Sequence, residues 1–336
     1  MKRGRQGGMT LVELLLVISL LSLILGTGLG LFASLNPGRR AALGSVASVL
    51  RSAHNSAIAR GAPARVRFDE ATGGFAAEAQ RVIGTWHFED ETLAGAFGID
   101  GAAIGLDAGF VVDEGYQGRA LSFRGQPKGA RVEMQVQRDP AWSLAEGFRI
   151  DCAVRLEEPR GANLLDVGRS VALAVTSTGS VQAAFVPEAL GELGRAVPGE
   201  PLILRSGEGE LALGRWARVR AVYDRRRFEL FVDGVQVAGW DEEVAVWPLE
   251  GPLVLSGGSV PFAGSIDNLA VSAVVRDEPQ KLPEGVRFAP GTPAEVAFAA
   301  GGALEPALHR TPVEVPLAFD DGSSRTLRVS LYGTVE

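Results

Sequence analysis

The strongest constraint on this chain is an uncharged, mainly apolar run from Leu14 to Gly38. About 20 apolar residues span a bilayer, so the run predicts a membrane-crossing segment. The basic head at residues 2–5 predicts that the N-terminus stays in the cytoplasm and the remainder lies outside. A cleaved secretory signal is an alternative, although its apolar core is usually about 7–15 residues. An uncleaved anchor is another.

One carboxylate, Glu13, lies at the start of this run. A charged side chain costs about 2.5–3.5 kcal/mol at the centre of a bilayer and less near its surface. A carboxylate in such surroundings is stabilised by a cationic partner. Neither a secretory signal nor a plain anchor explains this residue.

The stretch RGRQGGMTLVELLLVISLLSLILG resembles the signal of type IV pilins and type II secretion pseudopilins. The resemblance implies that a prepilin peptidase cuts after Gly8 and that Met9 becomes the N-methylated terminus. It also implies that Glu13 meets the terminal amine of a neighbouring pilin subunit in a filament. Residues 1–8 are then the leader and 9–35 the transmembrane and assembly helix. The location implied is the bacterial inner membrane, with a single pass and the C-terminal domains periplasmic or extracellular on a filament.

Residues 39–61 return to helical spacing, and Gly61 suits a C-terminal cap. One stripe of this helix is apolar and comprises Leu43, Val46, Leu50, Ala53 and Ala57. The stretch PARVRFDEATGGFAAEA then predicts a hairpin. This order is similar to the H-type minor pseudopilins and their pilus-biogenesis relatives, in which a β-sheet packs on the helix. Residues 36–83 and 279–336 are therefore predicted as the two halves of a pilin domain.

Residues 84–278 contain many short strand patterns, which predict a β-sandwich or jelly roll. In GFRIDCAVRLE the apolar residues alternate, so Cys152 is predicted to lie in the core. FELFVDGVQVAG predicts a hairpin with Asp233-Gly234 as its turn. The order of GRALSF, FVDG and GSID is similar to the laminin-G-like, concanavalin-A-like superfamily. The expected fold class is α+β: a long N-terminal hydrophobic helix packed on a small pilin β-sheet, interrupted by an all-β jelly-roll sandwich.

Calcium is the cofactor that the second resemblance implies, with Asp113, Asp166 and Asp267 as loop ligands. Solvated or capping acids are the simpler interpretation of these residues. No catalytic pair stands out: only Glu89 and Glu91 could share a strand face, so an anchored glycosidase is disfavoured and no enzyme activity is expected. The five tryptophans could include a sugar-stacking platform, although core packing is their usual role.

These patterns predict a minor pilin or pseudopilin of a type II secretion or type IV pilus system that displays the sandwich for adhesion or ligand binding. Its expected partners are prepilin peptidase, other pilin subunits, the inner membrane and a glycan or protein ligand. One alternative is a membrane-tethered carbohydrate- or protein-binding protein that never joins a filament. Another is a DNA-binding minor pilin, which the formal net charge of -7 disfavours.

Overall fold

The structure is a computed structural model that describes residues 11–12, 14–22, 37–136, 139, 141–192, 194–258 and 261–336. Gly8, Met9 and Glu13, the predicted processing and assembly residues, lie outside these ranges. The chain divides into two compact units, of which the first comprises Met1–Ala77 with Asp277–Glu336 and the second comprises Glu78–Arg276. The sequence placed the inserted domain at residues 84–278.

The expected α+β fold with a long hydrophobic helix is wrong. In the described ranges, α-helix is confined to residues 11–12 and 14–22 and to α1 (Pro37–Arg60), and most regular structure is strand. None of the helices in these ranges combines the length and apolar character that crossing a membrane requires. An apolar run shows that a segment avoids water, but it does not fix how far one helix continues. The resemblance to pilins and H-type minor pseudopilins carrying a laminin-G-like insertion is overturned with that helix. Prepilin peptidase and other pilin subunits are therefore no longer supported as partners.

The first unit combines α1 with short antiparallel strands. β1 (Ala64–Asp69) lies beside β2 (Gly74–Trp86), which begins in this unit and ends in the second. The remaining strands of the unit are β19 (Gln280–Lys281), β20 (Val286–Phe288), β21 (Glu295–Phe298), β22 (Val313–Phe319) and β23 (Ser324–Val329). β21 pairs with β1, β19 with β2, and β20, β22 and β23 form a separate sheet in that order.

The apolar stripe predicted for α1 is largely confirmed. Val46, Leu50, Ala53 and Ala57 are buried, and Leu43 is half-buried. The helix ends before Gly61, which has the positive φ of a C-terminal cap. Near the C-terminus, Gly333 has φ 83° and passes so close to His54 that a Cβ atom would collide with its ring. Glycine is therefore required at this close approach.

The second unit, here called the sandwich unit, contains two antiparallel sheets. Its first sheet has the order β16-β15-β14-β7-β18-β2, with β5 on β18 and β4 on β5. Its strands, besides β2, are β4 (Val111–Val112), β5 (Ala120–Ser122), β7 (Phe148–Leu156), β14 (Trp216–Tyr223), β15 (Arg227–Val232), β16 (Val235–Asp241) and β18 (Gly264–Arg276).

The second sheet of the sandwich unit has the order β13-β10-β9-β8-β17-β6-β3. Its strands are β3 (Ala102–Ile104), β6 (Arg131–Met134), β8 (Ala162–Val167), β9 (Val171–Val175), β10 (Val181–Phe185), β13 (Leu202–Arg205) and β17 (Leu253–Leu255). A separate hairpin of β11 (Glu188–Leu190) and β12 (Ala196–Pro198) lies between β10 and β13 in the chain.

An aromatic cluster joins the inner faces of the two sheets. Phe185 of the second sheet stacks on Tyr223 of the first at 4.4 Å between ring centroids and meets Phe228 edge to face at 5.0 Å. Phe148 lies 6.0 Å from Phe185 and completes the group. All four side chains are almost fully buried. Cys152 is also buried, as predicted, and burial raises the pKa of its thiol to about 12.

The two ends of the sandwich unit are hydrogen-bonded neighbours. Glu78 on β2 is directly opposite Arg276 on β18. The Arg276 Nε and Nη2 atoms donate to Glu78 Oε1 at 2.9 and 2.6 Å, and the Glu78 side chain is 2% exposed. Glu146 accepts a further contact from Arg276 at 3.0 Å. The chain therefore begins and ends this unit at an ion pair whose carboxylate is buried.

Candidate functional site

The outward face of the second sheet carries a row of small and amide side chains. Antiparallel register places Asn163 of β8 opposite Ala174 of β9, Ala174 opposite Gln182 of β10, and Gln182 opposite Arg205 of β13. A cavity of about 440 Å³ opens along this row, within the roughly 300–1,000 Å³ of small-ligand sites. We call it the alanine trough; its lining is Gly161, Ala162, Asn163, Ala174, Val175, Thr176, Gln182, Gly257 and Gly258.

The polar groups of the trough are held in place by neighbouring residues. With the Gln182 amide turned to satisfy both of its ends, its oxygen accepts from Arg205 Nε at 2.6 Å and from Arg205 Nη2. This arrangement leaves the Gln182 amide N–H groups to donate elsewhere. Thr176 Oγ1 contacts Thr178 Oγ1 at 2.9 Å. Asn163 is exposed, and its side chain has no hydrogen-bond partner among the residues that the structure describes.

The next row of the same face continues this chemistry. Asp166 on β8 is opposite Ala172 on β9, and Ala172 is opposite Ala184 on β10. Burial raises the pKa of Asp166, although the backbone N–H of Arg169 donates to its carboxylate at 2.7 Å. A floor of alanines lets a ligand approach the sheet closely. The face offers amide donors, a hydroxyl and a carboxylate acceptor, a set that suits a hydroxyl-rich molecule.

The three predicted calcium ligands do not come together. Asp113 pairs with Arg119 at 3.0 Å, whereas Asp166 belongs to the second sheet. Asp267 on β18 is fully buried and accepts the backbone N–H groups of Gln117 at 2.9 Å and Asn268 at 2.6 Å. Within the described ranges, no group of three acidic, histidine or cysteine side chains could hold a metal ion. Calcium binding therefore stays a prediction without a site.

The tryptophans fall into different environments. Trp86 and Trp142 are buried, and Trp86 Nε1 donates to the Ile99 carbonyl at 2.8 Å. Trp216 instead lies half-buried at the start of β14, and Trp240 on the edge strand β16 is 49% exposed. Trp247 is also half-buried, and its Nε1 atom donates to Glu250 Oε1 at 2.8 Å. Packing explains the first two tryptophans, and the other three keep accessible surface.

The outward face of the first sheet has a different composition. Asp151 on β7 accepts from Arg149 Nε at 2.5 Å and from Arg220 Nε on β14 at 2.6 Å. Burial alone would raise the pKa of Asp151, but the bonds and charges of the two arginines outweigh it and hold the pKa below its ordinary value. We call the outward positions around this group the arginine face; it comprises Arg149, Asp151, Trp216, Arg218, Arg220 and Ala270.

Sequence reasoning missed the trough residues Asn163, Ala174 and Gln182. A signal was present in VALAV and VQAAF, where the positions facing away from the core hold alanine or glutamine in place of the usual charged side chains. That pattern shows an open sheet face, but the row across four strands depends on register, which one strand does not specify.

Comparisons with known proteins give distant likenesses. No protein-family model matches the chain, and no curated protein matches it. Domain 4 of a GH43 extracellular arabinanase from Geobacillus stearothermophilus, in complex with arabinotriose, is 14% identical with a TM-score of 0.41, over 58% of this chain and 93% of that one. The binding domain of Paraclostridial mosquitocidal protein 1 is 8% identical with a TM-score of 0.43, over 56% of this chain and 48% of that one.

A third similar structure is the CBM40 domain of Ruminococcus gnavus IT-sialidase bound to α2,3-sialyllactose. It is 15% identical with a TM-score of 0.34, over 45% of this chain and 88% of that one. The chain spans about half the length of the mosquitocidal binding domain. All three TM-scores are below 0.5, so the fold and the candidate site are argued only from the strands and side chains described above.

Proposed function

We propose that this chain is a membrane-tethered saccharide-binding protein that uses the alanine trough of its sandwich unit. The observation that carries the proposal is the single row of Asn163, Ala174 and Gln182 across three neighbouring strands, bordering the 440 Å³ cavity. Rigid strands hold these groups, so little conformational entropy is lost when a ligand binds. Saccharide hydroxyls are both donors and acceptors, and they match amides that offer both.

The tether is supported by the sequence alone. The uncharged run from Leu14 to Gly38 is long enough for a bilayer, and the basic residues before it favour a cytoplasmic N-terminus. The sandwich unit would then face the outside of the bacterial inner membrane. Protease added to spheroplasts should digest the sandwich unit and spare the basic head; protection of the sandwich unit would reverse this assignment.

Binding without hydrolysis is the activity that we propose. Glu89 and Glu91, the acids considered as a catalytic pair, lie after the end of β2 and outside any strand. Their carboxylates accept the backbone N–H groups of Arg119 at 3.1 Å and Gly109 at 3.3 Å. Both carboxylates therefore have a structural role that accounts for them without catalysis. Oligosaccharides incubated with the protein should gain no new reducing ends.

The test is a glycan array probed with the full chain in detergent micelles, with and without a calcium chelator. The best neutral oligosaccharide is then titrated against Asn163→Ala, Gln182→Ala and a matched control, Gln236→Ala, on the exposed edge strand of the other sheet. The trough variants should each weaken binding about tenfold, as expected for one or two hydrogen bonds. The control should bind normally. Wild-type affinity in both trough variants would refute the site.

A further inference from the structure

A second cluster of accessible groups lies on the arginine face, on the sheet opposite the trough. Outward positions of β14 are Trp216, Arg218 and Arg220, which alternate with the buried residues of the strand. Successive outward positions on a strand are about 7 Å apart. A linear oligosaccharide lying along β14 would contact Trp216 first and then the guanidinium groups of Arg218 and Arg220.

Trp216 is held as a platform. The Arg155 guanidinium lies over its ring at 5.3 Å, and Tyr116 meets it edge to face at 6.2 Å with the ring planes at 70°. Arg155 is itself fixed by Glu114 at 3.2 Å and by Glu157 at 2.7 Å. Tyr116 is 40% exposed, so the pair presents accessible aromatic surface against which the apolar face of a sugar ring can pack.

A buried carboxylate holds the loop that carries Tyr116. Asp267 accepts the backbone N–H groups of Gln117, next to Tyr116, and of Asn268, and the Asn268 side chain donates to the Gln117 amide oxygen at 3.1 Å. The Asp267 side chain does not touch the surface itself. It therefore acts as a positioning residue for the aromatic platform.

The charge beyond the platform is positive. Arg149 and Arg220 share the single carboxylate of Asp151, and the exposed Arg218 side chain has no ion-pair partner within the described ranges. Three arginines lie with Asp151 on this face, and one further carboxylate, that of Asp233, accepts the backbone N–H of Arg218 at 2.8 Å. The group is therefore positive in a chain of net charge -7. Arg220 also lies over Phe231 at 5.9 Å, which limits the motion of its planar group.

A small residue leaves space for a ligand beside Asp151. Ala270 is opposite Asp151 and is half-buried, whereas Ala153, opposite Arg218, is buried. Guanidinium groups bind carboxylates in a planar, two-bond geometry. On the far side of Trp216, Glu114 and Glu157 repel an anion. An acid group on the ligand must therefore lie on the Arg218 side.

We infer that the arginine face is a second binding site, for a carboxylate-bearing sugar chain, with a ring against Trp216 and its acid group on Arg218 and Arg220. Duplex DNA fits less well, because DNA binding at physiological salt depends on many phosphate contacts, whereas this face has three arginines beside the carboxylates of Asp151 and Asp233. The arginine face shares no residue with the alanine trough, so an experiment can refute either binding site without refuting the other.

The test compares polygalacturonate with its methyl-esterified form, which has the same backbone with the charge masked. The full chain in detergent micelles should bind polygalacturonate and lose most of that binding after esterification. Binding should also weaken as salt rises, because exposed charges are screened. Arg218→Gln with Arg220→Gln should reduce affinity about tenfold or more.

The controls separate this site from general attraction between charges. Arg160→Gln removes an exposed arginine paired with Glu158 at another place on the sandwich unit and should leave affinity unchanged. Trp216→Ala should weaken binding, and Trp216→Phe should restore part of it. Equal binding of the esterified polymer, or tighter binding of duplex DNA at the same salt, would overturn the inference. So would wild-type affinity in the double arginine variant.

Discussion

The two outward faces of the sandwich unit differ although one core supports both. The trough face has alanines between amides and a desolvated carboxylate, whereas the arginine face has guanidinium groups around one aspartate beside a tryptophan. Their inner faces are alike, because both sheets contribute aromatic rings to the same cluster. The difference shows that an alternating strand lets one side of a sheet specify the fold while the other side specifies chemistry.

The largest expected effect tests the shared core. Phe185→Ala removes a ring packed against three aromatic side chains of the opposite sheet. The free energy of unfolding should fall by about 3–5 kcal/mol, and both binding activities should be lost together on heating. Thermal denaturation followed by circular dichroism and by ligand binding would measure this. Separate loss of the two activities would mean that the faces do not depend on one core.

A pair of bulky substitutions should separate the faces. Ala174→Trp fills the trough and should reduce neutral saccharide binding at least about tenfold, equivalent to about 1.4 kcal/mol, without affecting polygalacturonate. Ala270→Trp covers the space beside Asp151 and should do the reverse. Both alanines face outward and are only partly buried, so folding should tolerate the change. If either variant lost both activities, the two sites would not be distinct.

A smaller effect is expected from the positioning residue. Asp267→Asn replaces one acceptor oxygen with a donor that faces backbone N–H groups, which should loosen the loop of Tyr116. Polygalacturonate affinity should fall about two- to tenfold, the range for a net hydrogen bond of about 0.5–1.5 kcal/mol. Asp113→Asn, an exposed acid near the same loop, is the matched control for titration calorimetry. Trough binding should be unchanged in both variants.

The smallest effect concerns pH. Burial raises the pKa of Asp166, whereas Arg149 and Arg220 hold that of Asp151 below its ordinary value despite burial. As pH falls from 7 toward 4, Asp166 should gain its proton first, so trough binding should weaken while the ion pairs of the arginine face persist. Titrations of both ligands across this range would check the order; earlier loss of polygalacturonate binding would contradict it.

The same shifts have opposite consequences for stability. Folded Asp166 binds its proton more readily than the unfolded chain does, so its contribution to stability decreases as pH rises through its raised pKa. Asp166→Asn should therefore stabilise the protein slightly at pH 7. Asp151 contributes stability above the ordinary pKa of 3.8, and this contribution is lost as pH falls toward its lowered pKa. Urea denaturation at pH 7 should therefore show that Asp166→Asn stabilises the protein and that Asp151→Asn destabilises it.

Local patterns in the sequence predicted local structure well. The alternation of GFRIDCAVRLE gave the buried face of β7, and Asp233-Gly234 is the turn between β15 and β16, with both residues at positive φ. These features depend on neighbours within a few residues. The trough depends on β8, β9, β10 and β13 lying in one register, which no single segment specifies.

The N-terminal run led sequence reasoning to the wrong fold class. Its apolar composition predicts a preference for lipid. Glu13 and the preceding glycines also resemble a pilin signal, which predicted a long helix that the described ranges do not contain. Calcium binding stays a prediction, because the sequence alone does not show which groups surround an acidic side chain. Asp267 is explained by backbone N–H groups that only the folded loop brings to it.

The buried pair of Glu78 and Arg276 also has a mechanical consequence. Antiparallel neighbours bring two backbones within about 5 Å, and the pairing continues outside this pair, where the Asp277 N–H donates to the Ala77 carbonyl at 2.8 Å and Gln280 is opposite Phe75. A pulling force that arrives along one of these segments and leaves by the other must therefore break these pairs one after another before it reaches the rest of the two sheets. In optical tweezers the sandwich unit should lengthen only after these pairs rupture.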